Sequence, residues 1–333
     1  MPQPLALHVR VPASSANLGP GFDSVGLALG LWDDYDVVVG DGAGLRIEVS
    51  GESADEVPLD ETHLVVRSMA HAAARLGVAL PTDLHLVARN AIPHGRGLGS
   101  SAAAITAGVV VAQAICAFEA WEHLPLAERV PVDLDVATDL VTELEGHPDN
   151  ASASVRGGMT LSWTRDVEER GTGLAERAEV IGTITGTVSV PVHDDLRVVA
   201  LVPQTQLATH TARAVLPPQV DHRAAALNAG RSALLVEAMS RRPDLLLPAT
   251  RDWLHQEFRR PAFAASMRLV DALRAEGHAA LISGAGPSVL VLTTRDRADR
   301  VVVPVGTGGD AAFRAWRRLP LAIPTTGVNV TRA

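Results

Sequence analysis

The sequence predicts an α+β protein built as two lobes, on three observations. Its 333 residues exceed what one compact core usually holds and fit comfortably in two. Strand-like and helical runs follow one another in an order that segregates helices onto a mostly antiparallel sheet. A polar, charged stretch over residues 164–178 breaks the pattern near the middle, dividing the chain into a first domain over 1–170 and a second over 171–333.

Residues 5–11 read as a strand that runs into P-A-S-S-A-N-L-G-P-G-F-D-S, a loop over 12–24 dense in turn formers. Further strands are expected at 35–39 and 45–49. Helical spacing over 63–76 stops before Gly77, the expected cap. A strand at 84–88 leads into a glycine-rich loop and a long apolar helix. The helix expected over 133–145 carries Ala137, Leu140, Val141 and Leu144 on one stripe and ends at Gly146. After a loop over 146–154, Gly157 and Gly158 turn the chain into a strand at 159–163. In the second half, strands at 180–190 and 196–202 precede helices at 223–239 and 263–275. Two short strands, 280–283 and 289–292, flank G-A-G-P, and a helix near 311–318 and a strand around 327–331 close the chain.

Hydrophobic residues at 47% and charged residues at 20% supply a folded core and exclude wholesale disorder. The net charge of −9, with no basic block, lacks the electrostatic footprint that nucleic-acid binding needs. All 29 basic residues are arginine, and lysine is absent. Cys116 is alone, so it forms no internal disulfide, and its apolar surroundings predict a small buried hydrophobe in a reducing compartment. Neither end carries a targeting pattern, which makes the cytoplasm the expected location. The apolar run over 102–118 is Ala- and Gly-rich and shorter than a membrane span of about 20 residues, so a buried helix is expected there.

Four stretches can carry chemistry. The first, P-H-G-R-G-L-G-S-S-A-A-A over 93–104, enters a helix and offers unpaired N–H groups and the positive end of a helix dipole to an anion. The alternative is a plain turn. A Walker loop is excluded because it needs lysine, and the dinucleotide fingerprint fails because Ser100 stands where its third glycine belongs. The second stretch is the 12–24 loop, where Ser14, Ser15, Asn17 and Asp23 decorate a turn made by Gly19, Pro20 and Gly21, a surface loop unless other groups join it.

The third stretch is E-L-E-G-H-P-D-N over 143–150. Glu145 flanks the apolar stripe at a helix C-terminus, where an anion is disfavoured and a bound cation such as Mg2+ would relieve the cost. Glu143 and Asp139 are expected to face solvent. His147, Asp149 and Asn150 fit either turn capping or a site. The fourth, S-G-A-G-P-S over 283–288, is either a hairpin turn or a glycine-lined backbone that meets a ligand or another loop.

Taken in order, these segments resemble the GHMP small-molecule kinases, and within them the branch that acts on L-homoserine. P-H-G-R-G-L-G-S-S-A matches the P-x-x-x-G-L-G-S-S-A loop of that family without a gap; A-S-S-A-N-L-G-P-G-F-D and E-G-H-P-D-N look like the homoserine branch, and S-G-A-G-P-S looks like the third motif. The resemblance spans about residues 8–330. It implies a two-lobed kinase with an N-terminal α/β lobe like a ribosomal-protein domain, a ferredoxin-like C-terminal lobe and an active site between them. It implies ATP and Mg2+, transfer of the γ-phosphoryl group to the side-chain hydroxyl of L-homoserine, and O-phospho-L-homoserine on the route to threonine. By the same resemblance ATP lies on Pro93, His94, Gly95, Arg96, Gly97, Leu98, Gly99, Ser100, Ser101 and Ala102, with Ser101 and Glu145 at the metal. Homoserine falls to Asn17, Asp23, His147, Asp149 and Asn150, with Thr209, Arg213 and Arg259 around its carboxylate. Arginine suits that task because its guanidinium binds a carboxylate through two N–H groups. Asn150 stands where some relatives place an aspartate base, which implies direct transfer without a side-chain base, assisted by Ser101 and Glu145. Glu257 occupies a place where proline is common. A homodimer is implied by resemblance only.

Two other functions stay open: a kinase for another small alcohol, and an ATP or amino-acid sensor without turnover. An acceptor lacking an amine would leave Asp23 and Asp149 without a cationic partner, and a sensor has no need of Glu145 and Arg213 together.

Overall fold

A computed structural model describes residues 5–40, 42–164, 185–206, 209–303 and 316–333, with the side chains of 209–211 excepted. The first sheet contains β1 (Leu5–Ala16), β2 (Val25–Val39), β3 (Leu45–Gly51), β4 (Leu84–Asn90), β5 (Met159–Thr164), β6 (Thr185–Val190) and β11 (Asn329–Arg332). Its order is β11-β1-β2-β4-β3, with β5 on β2 and β6 on β5. Only β3 and β4 of these described pairs run parallel. The second sheet is β10 (Arg317–Leu321), β7 (Leu196–Val202), β9 (Val289–Thr294) and β8 (Ala279–Ile282), in that order and antiparallel throughout. The α+β expectation holds.

Period-two burial builds both sheets. Leu7, Val9 and Val11 of β1 point into the core, opposite Val37, Tyr35 and Asp33 of β2. The register shifts between Pro12 and Ala13, where proline has no N–H to donate. In the second sheet Val198, Ala200, Leu281 and Leu290 join the main core, while Val199, Leu201, Ile282 and Val291 form a smaller core with Phe263, Met267 and Leu273.

The first lobe's helices are α1 (Leu64–Leu76), α2 (Ser100–Cys116), α3 (Phe118–Trp121), α4 (Leu134–Glu145) and α5 (Pro148–Arg156). The α2 helix is buried nearly all round. At Gly108 an added Cβ would fall 2.3 Å from Val65 O and 2.8 Å from Met69 N, so α1 and α2 touch backbone to backbone. Among the described residues no helix is long and apolar enough to cross a membrane. Asp133 caps α4 by accepting from Asp135 and Val136 N–H, and left-handed Gly146 ends it. The second half adds α6 (Thr209–Ala214), α7 (His222–Ser240), α8 (Leu246–Ala249), α9 (Gln256–Arg259) and α10 (Ala264–Ala275).

Several sequence expectations need correction. The loop expected at 12–24 is strand as far as Ala16 and again from Val25, and most of the loop expected at 146–154 is helix α5. Cys116 is exposed, because it lies on the last turn of α2 beyond the packed face. Glu143 does not simply face water: its carboxylate lies 3.3 Å from His71 Nε2 and 3.5 Å from Arg75 Nε. Asp139 accepts the Thr185 N–H at 2.9 Å. The division expected at 170/171, like most of the polar stretch 164–178, lies outside the described residues; β6 and β11, both from beyond it, belong to the first sheet. Most of the helix expected near 311–318 also lies outside them, and Arg317 and Arg318 are strand.

Candidate active site

The glycine loop connects β4 to α2. Gly95, Gly97 and Gly99 have φ of 63°, 73° and 73°, left-handed values that let the backbone coil tightly. No side chain caps α2 at Gly99, and Ala103 N–H, at 2.9 Å from Gly99 O, makes the helix's first carbonyl bond. The preceding helix-end amides belong to Ser100, Ser101 and Ala102. Gly95, Gly97, Gly99, Ser100 and Ser101 line one cleft, so donors and helix dipole meet where an anion can sit. Leu98 and Ala102 are core residues, Pro93 is buried, and half-buried His94 is held below its usual pKa by burial. The Arg96 guanidinium donates to Pro203 O at 3.0 Å and to Gln204 O and His94 O at 2.8 Å, so its charge is turned away from the cleft and onto backbone carbonyls.

The end of β1 fastens three loops together. Ser14 N–H donates to Leu98 O at 3.0 Å and its hydroxyl to Asn150 Oδ1 at 3.0 Å. Ser283 donates its hydroxyl to Gly97 O at 2.6 Å and lies 2.9 Å from Ser15 Oγ. Asn17, buried and left-handed, donates to Gly284 O at 3.1 Å and accepts Asp23 N–H at 3.0 Å. The G-A-G-P turn therefore meets another loop, and Ala285 at its tip lines the same cleft. The fastening roles of Ser15 and Ser283 had no local signal beyond serine beside glycine.

Asp33 supports the loop from below and was missed by sequence reasoning. It is buried, accepting N–H from Ala91 at 2.7 Å and Ile92 at 2.9 Å and the Tyr35 hydroxyl at 3.3 Å. Burial outweighs these donors and pushes its pKa from 3.8 to about 6. The stability this adds belongs to the neutral acid: it is complete below about pH 4 and lost as pH rises through about 6. Asp33→Asn keeps an acceptor and does not titrate. Relative to wild type it should gain about 3 kcal/mol between pH 4 and 7, read from urea unfolding; a constant difference across that range would contradict the assignment.

Where α2 begins and α4 ends, Ser101 Oγ donates to Glu145 Oε2 at 2.9 Å. The Glu145 side chain is only 12% exposed, and burial raises its pKa despite neighbouring His147. An oxygen pair of hydroxyl and desolvated carboxylate at a helix C-terminus fits Mg2+, which takes few protein ligands and completes its shell with phosphates and water. His147 Nδ1 lies 2.6 Å from Asp149 Oδ1, which also accepts Asn150 N–H at 2.7 Å. Burial alone would lower the His147 pKa; the Asp149 hydrogen bond and charge, with Glu145, raise it above the usual value. No side chain makes a cap hydrogen bond at His147, the N-cap of α5, and Glu145, His147, Asp149 and Asn150 all line the cleft.

The opposite end is built of charge. Left-handed Asp23 receives Arg213 through two bonds, 2.5 Å and 3.1 Å. Arg259 is 2% exposed; its Nε donates to Ala212 O at 2.9 Å, and Nη1 lies 3.3 Å from His255 Nδ1. Burial first, and the charge of Arg213 second, lower Arg259 to about 10. His255, fully buried and held neutral by burial, reaches Gly19 O at 2.7 Å, so Nε2 donates and Nδ1 accepts. Asp252 accepts the N–H groups of Leu254, His255 and Gln256, which seats the short helix that carries Arg259. Arg213 and Arg259 line the cleft; Asp23 reaches it through Arg213. Thr209 opens α6, and its side chain lies outside the described residues.

Two sheets sharing one cleft, with helix-end amide donors at one wall and paired charges at another, suit a phosphotransferase for a small charged substrate. Residues 63–158 match the family described as GHMP kinases N terminal domain, and residues 224–310 match GHMP kinases C terminal. The chain belongs to the homoserine kinase family of the GHMP kinases. The homoserine kinase of Streptomyces coelicolor is 50% identical over 302 residues, covering 91% of this chain and 89% of that one. That of Streptomyces avermitilis is 47% identical over 325 residues, 98% and 95% of the two chains. Among solved structures, homoserine kinase from Cytophaga hutchinsonii superposes with a TM-score of 0.75 at 23% identity, over 98% of this chain and 97% of that one. Mevalonate diphosphate decarboxylase from Enterococcus faecalis shares the fold at a TM-score of 0.61 and 12% identity, over 99% and 100%. The fold therefore hosts more than one reaction, and the substrate has to be argued from the site.

Proposed function

We infer that this chain transfers the γ-phosphoryl group of ATP to the side-chain hydroxyl of L-homoserine, giving O-phospho-L-homoserine. The observation that carries the reading is the pairing of opposite charges in one cleft. Asp149, Arg213 and Arg259 line it together with the glycine loop, and Asp23 is bonded to Arg213. A zwitterionic amino acid presents an ammonium group for the carboxylates and a carboxylate for the guanidinium groups. A neutral alcohol offers no charge to either set.

In this proposal the amides of loop 95–101 receive the phosphates, and Ser101 with Glu145 hold Mg2+, which would neutralise phosphate charge. Asn17, His147 and Asp149 hold the amino end, while Thr209, Arg213 and Arg259 hold the carboxylate. Asn150 aims the acceptor hydroxyl; it is held by Ser14 and, as an amide, takes no proton. Phosphoryl transfer has a loose transition state in most analyses, so alignment and charge neutralisation supply most of the catalysis. The proposal extends to a homodimer in the cytoplasm, and to an N-terminal nucleotide lobe and a C-terminal lobe that meet at this cleft.

Coupled ADP release with Mg-ATP should be strong with L-homoserine and weak with mevalonate, shikimate and L-threonine. Activity confined to another of these acceptors would overturn the substrate and leave the kinase. No ADP release with any of them would favour a sensor.

A further inference from the structure

Phe22 stands at the charged end of the cleft with no role assigned to it. Its ring centroid is 5.6 Å from the Arg213 guanidinium carbon and 5.4 Å from that of Arg259. The His255 imidazole stacks on it at 5.2 Å with an interplanar angle of 28°. The two arginines come from separate elements, α6 and α9, and their like charges repel at this range. An aromatic face attracts both, because its quadrupole is negative there. The need is unequal. Arg213 already has the Asp23 carboxylate, whereas the hydrogen bonds of Arg259 go to a carbonyl and an imidazole. Phe22 is also fixed along the chain, since its neighbour Asp23 is tied to Asn17 through its N–H and to Arg213 through its carboxylate.

We propose that Phe22 is a positioning residue for carboxylate recognition: its ring holds both guanidinium groups converged on one point and so favours acceptors that carry a carboxylate. The proposal rests on reading Arg213 and Arg259 as the carboxylate clamp. A leucine fills most of the same space without the quadrupole, and a tyrosine keeps it.

The test compares Phe22→Leu, Phe22→Tyr and Arg213→Met using L-homoserine and 3-aminopropan-1-ol, which keeps the amine and hydroxyl but lacks the carboxylate. The second compound is followed as an acceptor and as a competitive inhibitor against L-homoserine. Phe22→Leu should raise KM for L-homoserine about 10-fold, with kcat and the KM for ATP changed less than about 2-fold. Its constant for 3-aminopropan-1-ol should stay at the wild-type value. Phe22→Tyr should restore the KM for L-homoserine. Equal losses for both compounds, a matching rise in KM for ATP, an unchanged KM for L-homoserine, or failure of tyrosine to rescue would each overturn the proposal. Arg213→Met separates the two levels. If it weakens L-homoserine no more than 3-aminopropan-1-ol, the clamp reading itself fails; if it discriminates and Phe22→Leu does not, only the role of Phe22 fails.

Discussion

Gly97→Ala should cut ATP-dependent turnover about 100-fold and lower the melting temperature, whereas Gly95→Ala should leave a working enzyme. At Gly97 an added Cβ would fall 2.2 Å from Ser283 O and 2.9 Å from Gly286 O, on a backbone at φ 73°. Both obstacles are main chain, so no rotamer change relieves them, and the 283–288 turn has to move off the loop. Left-handed strain adds about 1 kcal/mol and the displaced turn about 1–3 kcal/mol more. A shift near 1 Å in the phosphate amides costs about 100-fold in rate. At Gly95 the nearest atom to such a Cβ is Gln206 Cβ at 3.4 Å, ordinary contact, leaving only the backbone strain at φ 63°. Paired thermal melts and ATP titrations check the contrast; equal effects at the two positions would refute the loop-on-loop account.

Glu145→Gln should cost activity without costing stability. The carboxylate is desolvated at a helix C-terminus, an unfavourable place for an anion, and burial raises its pKa. A neutral amide still accepts the Ser101 hydroxyl bond and removes the buried charge. The melting temperature at pH 7.5 without ligand should therefore equal or exceed that of wild type. The kcat should fall about 10³-fold, since the Mg2+ proposed at this position would supply several kcal/mol of charge stabilisation. The rise in melting temperature that Mg2+ adds to ATP should shrink in the variant. A variant that melts lower but keeps kcat would make Glu145 a structural acid.

Local chemistry was the part most legible in the sequence. The glycine loop, the helix ended by Gly146 and the acid before it announce themselves by spacing over ten residues or fewer. What the sequence hid is pairing across distance. Ser14 meets Asn150 from 136 residues away and Ser283 meets Gly97 from 186, so neither contact leaves a periodic trace. Turn-forming residues misled where burial overrode propensity: Pro12–Ala16 is rich in serine yet continues a buried strand, and P-D-N-A-S-A-S-V-R forms a helix with proline at its first turn. The resemblance put Arg96 on ATP, and nothing in the sequence signalled that its side chain reaches the carbonyls after β7.

The burial of Arg259 bears on the chain's missing lysines. Even pushed down to about 10, this guanidinium stays protonated through the whole neutral range. A lysine begins about two to three units lower, so the same desolvation would bring it into balance with its neutral amine near physiological pH. Recognition by such a site would fade as pH rose above neutral. With arginine there, the cleft keeps its cation at a cost in solvation that lysine would settle by losing its proton.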